Sequence, residues 1–277
     1  MKAYRAARSS ALCLGLFLFA TAVHAQTPTP GAEYTPTQGQ LGKDVVWVPT
    51  AQGLVEKMLD LATVAPQDYL IDLGSGDGRL VIAAGKRGAR ALGIEYNPDM
   101  VELSKRNAAK AGVADKVQFV KADIFESDFS QATVITLFLL PDLNLKLRPQ
   151  LLNLKPGTRV VSNTFTMEDW TPDGVATMPE PCSTHCTALF WLVPAKVDGE
   201  WTLSQGRLQF TQSFQTLSGT LVSGAQSAPV TAGRLRGDEI SFTVGGIQYT
   251  GRVTGNAMQG VSTSGGTTST WSAVRAN

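Results

Sequence analysis

The stretch "LIDLGSGDGR" at residues 70–79 sets Gly74, Gly76 and Gly78 one residue apart, between an apolar run and a helix-like run. Glycines in that pattern let the backbone turn sharply and approach a ligand without Cβ clashes. A strand that ends in such a turn and feeds a helix is a ligand cradle. Asp72, at the end of the strand, supplies an acceptor for an amine or hydroxyl donor. Further on, "LGIEYNP" ends a second apolar run in Glu95, whose carboxylate can accept two hydrogen bonds from a ribose diol. "KADIF" puts Asp123 at the end of a third run, where it could accept from the exocyclic amine of adenine.

The loop reads G-x-G-x-G, not the G-x-G-x-x-G of pyrophosphate cofactors, and Asp72 and Asp77 would repel a phosphate. The Gly-Lys-Ser/Thr of a P-loop is missing. A cationic ligand carrying a ribose and an adenine fits better. S-adenosylmethionine has a sulfonium, an amine, a diol and an adenine. The loop alone is a weak signal; the loop with Glu95 and Asp123 at successive strand ends is a strong one.

The surrounding elements must bring these residues to one edge. "AQGLVEKMLDLATV" places Leu54, Val55, Met58, Leu59 and Ala62 on one helical face. "DYLIDL", "ARALGIE", "KVQFVKAD", "ATVITLFLL" and "TRVVSNTF" read as strands. Between them lie "RLVIAAGKRG", a helix closed by Gly88, and "PDMVELSKRNAAKAG", a helix with Pro98 at its start and Gly112 at its end. "DLNLKLRPQLLNL" reads as a helix broken at Pro149. Apolar strands alternating with amphipathic helices predict an α/β domain with a doubly wound, mostly parallel sheet covered on both faces. After about residue 195 short alternating runs punctuated by glycine replace that pattern. "GRLRGDEI" from Gly233 matches "GRVTGNAM" from Gly251, a strand–turn–strand repeat. A small C-terminal all-β meander is expected, without a catalytic cluster and with a stabilising or docking role.

The chain has 277 residues, 43% apolar and 17% charged, as suits a packed globular protein. Lys2, Arg5 and Arg8 precede an apolar stretch from Ala11 to Ala22, and "VHA" at 23–25 offers small residues for cleavage. This reads as a secretory signal peptide, with an uncleaved anchor as the lesser reading. The stretch is shorter than the roughly 20 residues of a spanning helix, so no stable membrane insertion is expected after cleavage. The leader carries three basic residues and no acidic one, so its removal takes the net charge from +1 to −2 and leaves no basic footprint for nucleic acid. The expected divisions are a signal peptide at 1–25, a flexible linker at 26–43, a ligand-binding domain at 44–196 and a β-rich domain at 197–277, in an exported protein, periplasmic or secreted.

Cleavage leaves Cys182, Cys186 and one histidine, His185, in "CSTHC". Three neighbours on a short loop cannot easily surround a metal, so no metal site is expected. In an oxidising compartment Cys182 and Cys186 would form a disulfide, two free thiols being the alternative.

"DLGSGDGRLVIAAGKRG" resembles motif I of the class I S-adenosylmethionine-dependent methyltransferases. "VWVPTAQGLVEKML", "GIEYNPDMV", "ADIFESDFSQATVITLFLLPDLNLKL" and "GTRVVSNTFTMEDWTPD" follow in the order and spacing of one subgroup. These are the short lysine methyltransferases acting on mitochondrial membrane proteins such as the c subunit of ATP synthase. The resemblance covers residues 45 to 175 or so and implies that S-adenosylmethionine is held by Asp72, Gly74, Gly76, Gly78, Glu95 and Asp123. It implies that Val48, Pro49 and Thr50 close over the methionine end. Leu140, Pro141 and Asn144 in "LLPDLN" would stand beside the transferring methyl, although Leu140 and Pro141 equally suit a strand end and helix start. Trp170 would wall the acceptor channel or lie in the core. The resemblance leaves the acceptor as a protein lysine or a small molecule with an oxygen or nitrogen nucleophile. The leader and the β-module depart from the subgroup, and an exported, non-catalytic protein that keeps the fold as a binding module is the alternative reading. No general base is evident within the matched block.

Overall fold

The computed structural model describes residues 33–276. The leader expected at 1–25 lies outside the described residues.

The first sheet has seven strands in the order β3-β2-β1-β4-β5-β7-β6. Central among its five parallel strands is β1 (Tyr69–Leu73), flanked by β2 (Arg90–Glu95) and β4 (Val134–Leu137). Beyond them lie β3 (Val117–Lys121) and β5 (Arg159–Asn163), all five parallel. At the far side β7 (Thr187–Leu192) runs antiparallel to β5 and to the edge strand β6 (Gly174–Thr177). All four residues of β4 are buried, as expected of a strand covered on both faces.

Among the described residues four helices cover the sheet. α1 (Gln52–Leu61) buries Leu54, Val55, Met58 and Leu59, the face read from its period. α2 (Arg79–Lys86) leaves the glycine loop, and α3 (Pro98–Lys110) has Pro98 in its first turn and Asn97 as its cap, accepting from the Asp99 N–H. Gly88 and Gly112 follow these two helices with positive φ. α4 (Pro141–Leu151) runs through Pro149 instead of breaking there. Pro149 lies in its last turn, where one intrahelical bond is forgone while Leu147 and Leu151 stay anchored in the core. One apolar cluster joins α1, α2 and α3 to the sheet; another, with Trp170 and Trp191, fills the α4 side.

The meander expected after residue 195 closes into an eight-stranded antiparallel barrel, from β8 (Gly199–Leu203) to β15 (Thr267–Arg275). Its closure between first and last strands pairs Thr202 with Val274. The two sequence repeats are hairpins, pairing Arg236 with Glu239 and Thr254 with Ala257. Trp201, Phe210, Phe242, Tyr249 and Trp271 are buried inside, so side chains fill the barrel. Phe214 stacks on Trp170 of the first domain at 5.9 Å between ring centroids.

Candidate active site

A cleft opens at the carboxyl edge of the parallel strands, the expected binding edge of such a sheet. The glycine loop forms one wall. Gly74 and Ser75 donate to the carbonyl of Ile94 at 2.9 and 3.0 Å, fixing the loop to the end of β2. From α3, Ser104 donates to the Gly76 carbonyl at 2.8 Å and Asn107 to the Asp77 carbonyl at 3.0 Å. Nothing in their sequence context marks Ser104 and Asn107 as supports for the loop.

Gly74, Gly76 and Gly78 have φ of 83°, 53° and 82°, the region that disfavours side chains. Gly74 and Gly76 line the cleft. Gly78 does not: a Cβ there would lie 2.8 Å from the Phe119 ring and 2.9 Å from the Ser104 Cβ, so it packs α2 against α3 and β3.

Asp72 is 3% exposed, and its Oδ1 accepts from Thr136 Oγ1 at 2.7 Å. Burial pushes its carboxyl up to about 7; the Thr136 bond pulls it down, and Glu95 and Asp77 add to the rise. Glu95 accepts from the Gly76 and Asn97 N–H groups, each at 2.9 Å. Asp123 is paired with Lys43, whose ammonium, with the Phe125 N–H, holds the carboxyl below its usual range.

Asp77, read from sequence as a bare carboxylate, is paired with Arg79 at 2.5 Å. Arg79 also donates to the Thr50 carbonyl at 2.6 Å, tying the Pro49–Thr50 segment to the loop. The Thr50 hydroxyl accepts from Asn163 at 3.1 Å. Val48, Pro49 and Thr50 line the cleft.

Gln40–Trp47 adds a wall, the first half of which the sequence reading places in a linker. Leu41 bridges Val46, and the Trp47 N–H donates to the Gln40 carbonyl at 2.9 Å. The Trp47 indole lies so close to the loop that a Cβ on Gly76 would sit 2.8 Å from its Nε1. The signal available in sequence was "VVWVP": a tryptophan in the quoted motif, whose partner the chain order conceals.

The "LLPDLN" residues sit differently from expectation. Phe138, Leu139 and Leu143 line the cleft there, and Leu140, Pro141 and Asn144 do not. Leu140 is 47% exposed, and Pro141 starts α4. Asn144 is fully buried, its Nδ2 donating to the carbonyls of Phe165 and Thr166 at 3.3 and 3.2 Å, so it holds the turn after β5. Trp170 is a core residue and no channel wall: it is fully buried between Trp191 and Phe214.

The donor set fits S-adenosylmethionine. A buried acidic carboxyl, a second carboxylate braced by two N–H groups and a third at the next strand end face one cleft, and a Cβ on Gly76 would intrude upon it. The Cys182–Cys186 disulfide is formed, and His185 stands within its loop.

The family model for the ANTKMT methyltransferase domain matches residues 72–174. A protein-lysine N-methyltransferase of Saccharolobus islandicus is 40% identical over 149 residues, 53% of this chain and 92% of that protein. The mouse adenine nucleotide translocase lysine N-methyltransferase is 34% identical over 148 residues, 53% of this chain, and the match spans 62% of its own length. A solved RNA methyltransferase from Salinibacter ruber, in complex with S-adenosylhomocysteine, is 49% identical with a TM-score of 0.51, covering 54% of this chain and 96% of that one. With its strand order, its acidic cleft and these relatives, the chain belongs to the class I S-adenosylmethionine-dependent methyltransferases.

Proposed function

We propose that the acceptor is the ε-amine of a lysine on a protein. The observation that carries this reading is the apolar boundary of the cleft at Phe138 and Leu139, beside the buried Asp72. An amine nucleophile must be neutral when it attacks, and an apolar surround disfavours the ammonium form. The lysine specificity of the Saccharolobus relative supports the same acceptor. The name of the Salinibacter relative raises RNA as a second acceptor class. The absence of a basic tract in the sequence speaks against it.

In this reading Glu95 and Asp123 take the ribose and the adenine, and Asp72 with the Gly74–Gly76 backbone takes the methionine end. Pro49 and Thr50 close over it, held by Arg79. When bound, S-adenosylmethionine would supply the methyl group for the amine acceptor. The protein's contribution is alignment at near-attack distance and exclusion of water. A working place outside the cytosol, periplasmic or secreted, belongs to the same proposal, supported by the leader-like N-terminus and the Cys182–Cys186 disulfide.

The test is incubation of the full chain with methyl-labelled S-adenosylmethionine and, separately, poly-L-lysine, total RNA and small amines. Methyl-lysine in hydrolysates of the polypeptide is the expected product. Label confined to RNA or to small amines overturns the lysine reading.

A further inference from the structure

At the end of β4 and β5, three rings meet beside the cleft. Phe138, which lines the cleft, lies 5.0 Å from His185 edge to face and 6.0 Å from Phe165, and Phe165 lies 5.8 Å from His185. The Nδ1 of His185 is buried and has no hydrogen-bond partner among the described residues. A buried ring nitrogen without a partner costs stability, and this one belongs to a ring packed against Phe138 at the cleft wall.

The local backbone is bent to achieve this. His185 has φ of 55° and Thr164, just before Phe165, has φ of 63°, both unusual for side-chain-bearing residues. The disulfide between Cys182 and Cys186 closes the loop around His185, the Cys186 carbonyl accepts from Met178 at 2.8 Å, and Asn144 holds the Phe165 carbonyl. Strain of this kind persists where surrounding structure fixes it.

We propose that Phe138, Phe165 and His185 form the acceptor entrance and that His185 is a catalytic residue, the base that deprotonates the incoming lysine. The proposal rests on the lysine reading above. The faces of Phe138 and Phe165 attract the ammonium. The imidazole then takes one proton: a ring-nitrogen lone pair forms the new N–H bond, and the pair of the broken bond stays on the lysine nitrogen as the nucleophile. The imidazolium returns that proton to solvent. His185 lies outside residues 72–174, which the family model matches.

The test compares wild type with His185→Phe, which keeps a third ring and removes the base, and with His185→Ala. S-adenosylhomocysteine affinity, measured by calorimetry, reports an intact cofactor cleft and should stay within about twofold. The kcat for poly-L-lysine should fall about a hundredfold in both variants with little change in KM, and added imidazole should restore His185→Ala. The His185 ring resonances, identified by their loss in His185→Phe, should shift when n-butylammonium is added to the S-adenosylhomocysteine-bound wild type. Wild-type kcat in His185→Phe, or resonances indifferent to the amine, overturns the proposal while leaving the lysine reading intact. Wild type that binds S-adenosylhomocysteine and transfers nothing to poly-L-lysine overturns the lysine reading and this proposal with it. Cys182→Ala/Cys186→Ala should lower kcat in the same way without loss of cofactor affinity; unchanged kcat removes the disulfide from the argument.

Discussion

Glu95 braces the loop that it faces: its Oε2 accepts from the Gly76 N–H at 2.9 Å while its Oε1 accepts from Asn97. The same carboxylate fixes the loop and keeps lone pairs for a diol. Glu95→Gln presents an amide N–H to one of those donors. A hydrogen bond to a charged group contributes about 1.5–3 kcal/mol, so the variant should lose stability on that scale in urea titrations. Its S-adenosylhomocysteine affinity should drop at least roughly tenfold, the equivalent of about 1.4 kcal/mol. Wild-type affinity by calorimetry would remove Glu95 from the ribose.

Asp72 gives two pH dependences of opposite sign. Its carboxyl is raised from 3.8 to about 7, chiefly by burial. Without ligand, the fold tolerates the protonated form. Its contribution to stability is full below the ordinary value of 3.8 and is lost as pH rises through about 7. A ligand ammonium needs the carboxylate, so affinity should fall as pH drops below about 7. Asp72→Asn should flatten both curves. The measurements are urea midpoints and S-adenosylhomocysteine affinity at pH 5, 6.5 and 8, and an unchanged pair of slopes in the variant would show that another group titrates.

Lys43 occupies the carboxylate assigned to the adenine amine. It pairs with Asp123 and lies 4.9 Å from the centre of the Tyr96 ring, on the short hairpin that carries Trp47. Its side chain is 35% exposed, so the pair contributes little to stability. Its effect should be kinetic. Lys43→Ala should raise the dissociation rate of S-adenosylhomocysteine several-fold, with a smaller change in Kd. Stopped-flow tryptophan fluorescence, with Trp47 as the reporter beside the loop, measures this. Identical association and dissociation rates would show that the hairpin does not gate entry.

Two glycines separated by a single residue should respond differently to the same substitution. Gly78→Ala drives a methyl to 2.8 Å from Phe119 at φ 82°, inside packed core. Overpacking there should cost about 1–3 kcal/mol, with cofactor affinity preserved in the folded fraction. Gly76→Ala instead meets the Trp47 indole at 2.8 Å, on the hairpin over the cleft and outside the packed core. It should keep more stability and lose affinity. Urea titration with calorimetry on both variants separates the roles, and the reverse ranking would refute the assignment.

The sequence carried the five parallel strands, because each is an apolar run and the helices between them are marked by a cap or a terminal glycine, as at Pro98 and Gly112; it did not mark the antiparallel β6 and β7. It carried Asp72, Glu95 and Asp123, because strand ends share one edge. It could not carry contacts that join distant segments. Trp47 over Gly76, Arg79 on Thr50 and His185 beside Phe138 depend on loops whose path no local period encodes. Barrel closure was hidden for a related reason: an open meander and a closed one share the same alternation, and only strand tilt and stagger decide. Asn144 misled because a polar residue beside the cleft serves the turn that presents Phe165.

The barrel meets the methyltransferase domain at the Phe214–Gln215 turn, at Arg234 and at Gly237, which packs against Gly157 and Leu192. Phe214, with φ of 51°, stacks on Trp170, and Gln215 donates to the Thr171 carbonyl at 2.7 Å. Arg234 pairs with Asp173 at 2.8 Å, while the other oxygen of Asp173 accepts from the Leu192 N–H. These contacts reach the segment between β5 and β7, which also leads to Phe165 and His185. Losing a half-buried aromatic should cost about 2–3 kcal/mol, concentrated at the junction and not in either core. Phe214→Ala combined with Arg234→Ala should therefore turn one calorimetric unfolding transition into two, each domain melting on its own core. S-adenosylhomocysteine should raise only the transition of the methyltransferase domain, since ligand stabilises the unit that binds it. A single transition, shifted as a whole by ligand, would mean that the two cores are coupled through contacts other than Phe214 and Arg234.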